Sequence, residues 1–226
     1  MKTWDATTRP IFFDKITIMK YIIGIDEVGR GSLAGPVVVA GVLISAKENL
    51  KKFEKKLKTP LRDSKKLSGR QRDIWTSFAV KNKIRRFVSF VNPRKIDRIN
   101  ISEAVNLAAG RIVSDLISKN RISPSKILVM ADAGIKPKTP KLSKMKFRSL
   151  IGGDNLIPAI SLASIIAKTK RDGYMVKLHK KFPVYGFDRN KGYGTKKHIN
   201  ALKAYGPCSV HRLTFIKKYS IITHNS

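Results

Sequence analysis

Apolar and polar positions along this chain follow two different rhythms. From Tyr21 to Asp26 and again from Pro36 to Ile44, β-branched and other apolar residues follow one another almost without a break, and glycines bound both runs. Such runs predict two strands, joined by the turn "GRGSLAG". "IRRFVSFV" predicts a third. Between them a lysine-rich block takes on helical spacing after the loop "TPLRDSKKLSG", where Ser68 is placed to cap a helix carrying Ile74, Trp75 and Phe78. The stretch "DRINISEAVNLAAGRIVSDLISKN" sets Ile99, Val105, Leu107, Ala108, Ile112, Val113, Leu116 and Ile117 on one face, as expected of a helix packed across a sheet. "SKILVMADAG" predicts a fourth strand that runs into Asp132. After a basic loop, "GIKPKTPKLSKMKFRSLIGGD", the pattern predicts a short strand "NLIPAI" and a helix "SLASIIAKTKRDGYMVKLHKKF". The remainder reads as loop, short helix and tail. Strands alternating with helices predict an α/β or α+β fold with a mixed sheet.

The chain of 226 residues is long enough for one main core. Residues 1–20 read as an N-terminal extension, since the first strong periodic signal begins at Tyr21 and a second methionine, Met19, stands just before it. There is no internal repeat and no heptad pattern.

Charge changes the picture. Lys and Arg number 47 against 15 Asp and Glu, a formal net charge of +32. A surplus of that size attracts polyanions, nucleic acid first among them, because each neutralised phosphate releases counterions. A membrane span is excluded: "PVVVAGVLI" is far short of the ~20 apolar residues needed to cross a bilayer. The N-terminus carries Asp5 and Asp14 and lacks the apolar core of a signal peptide, so a soluble, cytoplasmic protein is expected. With one cysteine, Cys208, neither an intramolecular disulfide nor a cysteine-based zinc site can form.

Against so basic a background the acids stand out. Asp26 and Glu27 close one apolar run, Asp132 closes another, and Asp172 lies on the helix that follows. Clustered carboxylates at strand ends are tolerable when a hard cation shares them, and an oxygen-only donor set favours magnesium or manganese. Two such ions about 4 Å apart clamp the attacking and leaving oxygens of a phosphodiester. A strand-end Asp–Glu also occurs in ordinary turns, and Ser164, Lys168 and Asp172, spaced i, i+4, i+8, also fit a solvated helix stripe.

Taken in order, "GIDEVGRGSLAGPVVVAGV", "LRDSKKLS", "MADAG", "SIIAKTKRD", "YGFDRNKGYGT" and "YGPCSVHRLTF" resemble the motif blocks of ribonuclease HII over Tyr21 to Phe215. Val28 stands where alanine is usual, and Thr214 where serine is common. The resemblance implies a ribonuclease H-like fold, a mixed five-stranded sheet flanked by helices with a short helical C-terminal segment. Its catalytic domain would span 21–182, with a substrate-binding loop, short helix and basic tail at 183–226. It also implies an endonuclease that hydrolyses the RNA strand of RNA–DNA hybrids and cuts 5′ of single ribonucleotides in duplex DNA, for ribonucleotide and RNA-primer removal. Asp26, Glu27, Asp132 and Asp172 would hold two Mg2+ or Mn2+ ions and leave 5′-phosphate and 3′-hydroxyl ends.

Substrate selection requires contact with the 2′-hydroxyl. By the resemblance, Gly29, Arg30 and Gly31 read the ribose together with Tyr193, whose ring stacks against the next deoxynucleotide sugar. Ser64, Lys65, Lys66, Ser164 and Lys168 are candidate phosphate contacts, which position a duplex without choosing the cut. His198 and His211 read as structural hydrogen-bonding residues outside the catalytic set, and Lys217 and Lys218 as added affinity. A monomer is expected; a sliding clamp is a candidate partner, although no clear clamp-binding peptide is found. The alternatives are ribonuclease HIII, an integrase-like two-metal nuclease, and a basic nucleic-acid-binding protein without activity. The last leaves the four acids unexplained.

Overall fold

A computed structural model describes residues 19–219. Its centre is a mixed sheet of strands β1 (Tyr21–Val28), β2 (Val37–Ser45), β3 (Arg85–Val91), β4 (Ile127–Asp132) and β5 (Lys146–Leu150), in spatial order β3-β2-β1-β4-β5. β1 pairs antiparallel with β2 and parallel with β4; β2–β3 is antiparallel and β4–β5 parallel. The five-stranded mixed sheet therefore matches the expectation. β1 runs two residues past Asp26, so the acidic pair lies inside the strand: Asp26 opposes Ala40 and Glu27 opposes Val39.

The longer helices among the described residues complete the frame: α1 (Gly69–Lys81), α2 (Pro93–Ile99), α3 (Ile101–Asn120), α4 (Pro158–Lys181) and α5 (Lys196–Tyr205). Side chains alternate across the pleat, so each sheet face has its own core. Ile23, Ile25, Val37 and Val39 pack with Ile112 and Leu116 of α3, and Ile22, Ala40 and Val42 pack with Ile160 of α4 and Trp75 of α1. α4 lies very close to the sheet at Gly24, where a Cβ would fall 2.3 Å from the Ala159 carbonyl carbon. A third, smaller core joins Leu33 and Ala34 to Met175 of α4 and to Tyr185, Phe187, Ala201, Leu202 and Ile216.

Two expectations are corrected. "NLIPAI" is not a strand: Asn155 and Leu156 belong to a one-turn helix, Gly153–Leu156, and α4 begins at Pro158. Proline suits the first helical position, where its missing N–H is not needed. The fifth strand lies instead in the basic loop, at Lys146–Leu150. It is an edge strand, where exposed lysine and arginine are the rule, so its apolar signal is weak. The long helix beginning at residue 97 is also broken, at Asn100 (φ 63°), whose side chain accepts from Glu103 N–H to start α3 afresh. Ser68 caps α1 as expected, in a reciprocal capping box with Gln71. Among the described residues no helix is long and apolar enough to cross a membrane.

Candidate active site

β1 and β4 place the first acids. In the parallel register Ile25 lies beside Ala131, so Asp26 and Asp132 follow as neighbours and point to the same face, toward α4. Asp26 is 6% exposed. Burial pushes its carboxyl well above the usual carboxylate range, the negative charges of Glu27 and Asp132 push the same way, and a hydrogen bond from Ser164 opposes them. Ser164 Oγ in turn lies 2.9 Å from Ser64 Oγ, which ties the "DSKKL" loop to α4. Asp132 Oδ1 accepts from Gly153 N–H at 3.0 Å. Glu27 Oε1 accepts from Arg30 Nε at 2.6 Å, while its Oε2 is buried without a hydrogen-bond partner.

Asp172 is carried by α4. It lies two helical turns beyond Ser164, about 12 Å along the axis, and both its oxygens are engaged: Lys168 Nζ at 2.8 Å and Arg72 Nη2 at 3.3 Å. Among the described residues no three carboxylate, imidazole or thiol groups lie close enough to enclose a cation. The donor set nevertheless fits a hard divalent ion. It is all oxygen, it includes a buried oxygen without a partner, and Asp26 has carboxylate neighbours that oppose its ionisation in the absence of a cation.

The loop after β1 is built on two buried arginines, both 0% exposed. Arg212 donates to the carbonyls of Gly29 (2.7 Å), Arg30 (2.8 Å) and Gly35 (3.0 Å). Arg171 donates to Pro36 O, Lys191 O, Ala34 O and Ser32 Oγ. In a trans peptide the next N–H points opposite to its carbonyl, so the N–H groups of Arg30 and Gly31 face away from Arg212, outward. Gly29 (φ 90°) is required here, since a Cβ would sit 2.2 Å from Arg171 Nε. At Gly31, by contrast, a Cβ would meet nothing within 4 Å. Arg30 also reaches across to Gly134 O at 3.1 Å, linking the loop to the turn after β4.

Tyr193 joins the same region. Its ring lies over the Arg171 guanidinium at 5.4 Å, and the preceding carbonyl, that of Gly192, accepts from Leu33 N–H and Ala34 N–H. Lys65 and Lys66 are exposed on the Ser64 loop, with Lys66 Nζ at 3.4 Å from Asn155 Oδ1.

Several groups were not singled out from sequence. Arg72 holds Asp172 and also donates to Ser64 O and Leu67 O. Asp154 is pushed up to about 6 by burial, then by Asp63 and Asp132. Arg171 and Arg212 were hidden by abundance, being two cations among 47. The scarcity of acids was the one signal able to find Asp154 and Asp63, the latter beside the candidate Ser64.

Comparisons with known proteins bear on the family and the fold. The family model described as Ribonuclease HII matches residues 23–223. A ribonuclease HII of Caldicellulosiruptor bescii is 39% identical over 198 residues, covering 88% of this chain and 87% of its own. Among solved structures, that of the PCNA:RNase HII complex from Archaeoglobus fulgidus superposes with a TM-score of 0.65 at 24% identity, covering 91% of this chain and 98% of the other. Bst-RNase HIII in complex with Mn2+ superposes with a TM-score of 0.62 at 19% identity, covering 91% of this chain and 68% of the other.

Proposed function

Since the chain belongs to the ribonuclease HII family, we propose that this endoribonuclease hydrolyses the RNA strand of RNA–DNA hybrids and cuts on the 5′ side of single ribonucleotides embedded in duplex DNA. It acts in the cytoplasm, with residues 21–182 as the catalytic domain and 183–226 as a substrate-binding segment. Asp26, Glu27, Asp132 and Asp172 would hold two divalent cations, magnesium or manganese. When bound, such ions supply Lewis acidity for the charge that gathers at phosphorus during hydrolysis, which leaves 5′-phosphate and 3′-hydroxyl ends.

The chain's own residues orient the strand. Arg30 pins Glu27, and Lys168 and Arg72 set the rotamer of Asp172. The outward N–H groups of Arg30 and Gly31, over the open space at Gly31, receive the ribose and its phosphate. Tyr193, held over Arg171, stacks against the sugar of the next nucleotide. Lys65, Lys66, Ser64, Ser164 and Lys168 position the backbone.

The observation that supports this reading best is Asp26 beside Asp132 on neighbouring strands, with the Gly29–Gly31 loop leading straight out of β1. The test is cleavage of a duplex holding one ribonucleotide, with and without Mg2+ or Mn2+, beside an Asp132→Asn variant. Metal-dependent cutting on the ribonucleotide's 5′ side, lost in the variant, is expected. A folded protein that leaves this duplex intact overturns the reading.

A further inference from the structure

Two buried histidines outside the acidic site form a hydrogen-bonded pair, His198 Nε2 to His211 Nε2 at 3.0 Å. Both are essentially shielded from solvent, at 0% and 3% exposure. The outer nitrogen of His198 ends on a backbone group of fixed polarity, and that of His211 on the Cys208 unit. His198 Nδ1 lies 2.9 Å from the carbonyl of Tyr193, which can only accept. His211 Nδ1 lies 3.0 Å from Cys208 N–H, with Cys208 Sγ at 3.2 Å and Cys208 O at 3.3 Å. A neutral imidazole carries one N–H. Tyr193 O requires His198 to be protonated at Nδ1 and to accept at Nε2; the Nε2–Nε2 hydrogen bond then requires His211 to be protonated at Nε2, leaving its Nδ1 to accept from Cys208 N–H. The chain runs one way: Cys208 N–H to His211, His211 to His198, His198 to Tyr193 O. Burial lowers both rings below the ordinary histidine value, which keeps each neutral near pH 7.

This chain ends at Tyr193 and begins beside the loop after β1. His211 bridges to Ala34, Gly35 N–H donates to Val210 O, and Arg212 N–H donates to Leu33 O. The next side chain, Arg212, holds the carbonyls of Gly29 and Arg30. Consecutive residues thus hold the two parts of the site assigned above to the ribose: Arg212 the glycine loop, His211 through His198 the tyrosine.

We propose that His198 and His211 are positioning residues for ribonucleotide selection, registering Tyr193 against the Gly29–Gly31 loop through this directional chain. The inference rests on the function proposed for Gly29–Gly31 and Tyr193. It makes selection, rather than hydrolysis as such, depend on the relay.

The experiment compares kcat/KM on a duplex with one embedded ribonucleotide against kcat/KM on a uniform RNA–DNA hybrid, in Mg2+. The proteins are the wild type, His198→Phe and His198→Gln. Phenylalanine keeps a ring among Tyr185 and Phe187 but has no N–H. Glutamine can donate to Tyr193 O and accept from His211. The phenylalanine variant is expected to lose about tenfold or more in the ratio, and the glutamine variant to restore most of it. An unchanged ratio in a folded His198→Phe, or a folded His198→Gln that fails to restore it, overturns the inference while the proposed activity stands. Nitrogen NMR of the wild-type imidazoles reads the tautomers without a variant, and two rings in the same tautomer overturn it as well. A wild type that cuts neither substrate overturns the functional reading itself.

Discussion

Arg171 and Arg212, both fully buried, lie beneath the loop that leaves β1, and their hydrogen bonds run to backbone carbonyls and the Ser32 hydroxyl. Burial lowers both, and the charge of Arg171 helps to bring Arg212 down to about 9, still cationic at neutral pH. Two like charges are kept together because the planar forks satisfy so many carbonyls at once. Arg212→Lys supplies one compact charge in place of the fork. It is expected to cost roughly 3 kcal/mol in urea unfolding and to reduce kcat/KM on the single-ribonucleotide duplex further than that loss of stability explains.

Asp26 is costly in the absence of cations, since burial and two carboxylate neighbours all oppose its charge. Asp26→Asn should therefore melt above the wild type in EDTA, by on the order of 1–2 kcal/mol. Mg2+ or Mn2+ should raise the wild-type midpoint and leave that of the variant nearly unmoved, with activity down at least ~100-fold. A variant that melts lower in EDTA would show that the Asp26 carboxyl stabilises the fold.

Acid should loosen the C-terminal unit. Burial and His198 hold His211 at about 4, below its ordinary 6.5. Between those values the unfolded chain binds a proton that the folded chain does not. Stability therefore rises with pH through about 4 to 6.5 and levels off above. Cys208 and Tyr185, which also face the pair, are raised by burial and stay neutral, Arg212 stays charged, and His198 is lowered by the same burial. The unfolding free energy read from urea should fall on acidification across that window, by about 3 kcal/mol, and the dependence on pH should flatten in His211→Gln.

Gly24→Ala tests how α4 reaches the site. The added methyl would fall 2.3 Å from the Ala159 carbonyl carbon, a backbone atom that cannot swing aside. A loss of about 3 kcal/mol is expected, with reduced cleavage at saturating substrate, because Ser164, Lys168 and Asp172 ride on that helix. Wild-type stability would mean that the helix shifts at little cost.

Much of the frame was legible along the chain. Four of the five strands and the capped helix α1 were readable because buried strands carry unbroken apolar runs, and the four acids proposed for the site stood out because acids are scarce in so basic a sequence. β5 was missed because an edge strand is held by its pairing to β4 and shows little burial of its own. "NLIPAI" was misread because a short apolar run has no period of its own, and Pro158 decided for the helix.

By itself, then, the sequence determined the fold class and singled out the residues proposed to carry the chemistry, since residue type and local spacing are properties of the chain. Tertiary structure alone decided what those residues face. The parallel register set Asp26 beside Asp132, Arg72 came from another helix to Asp172, and the 208–212 turn carried His211 and Arg212 to Tyr193 and the glycine loop. Such contacts join positions that are often a hundred or more residues apart, and no local pattern encodes a hydrogen bond whose two ends meet only once the cores have packed.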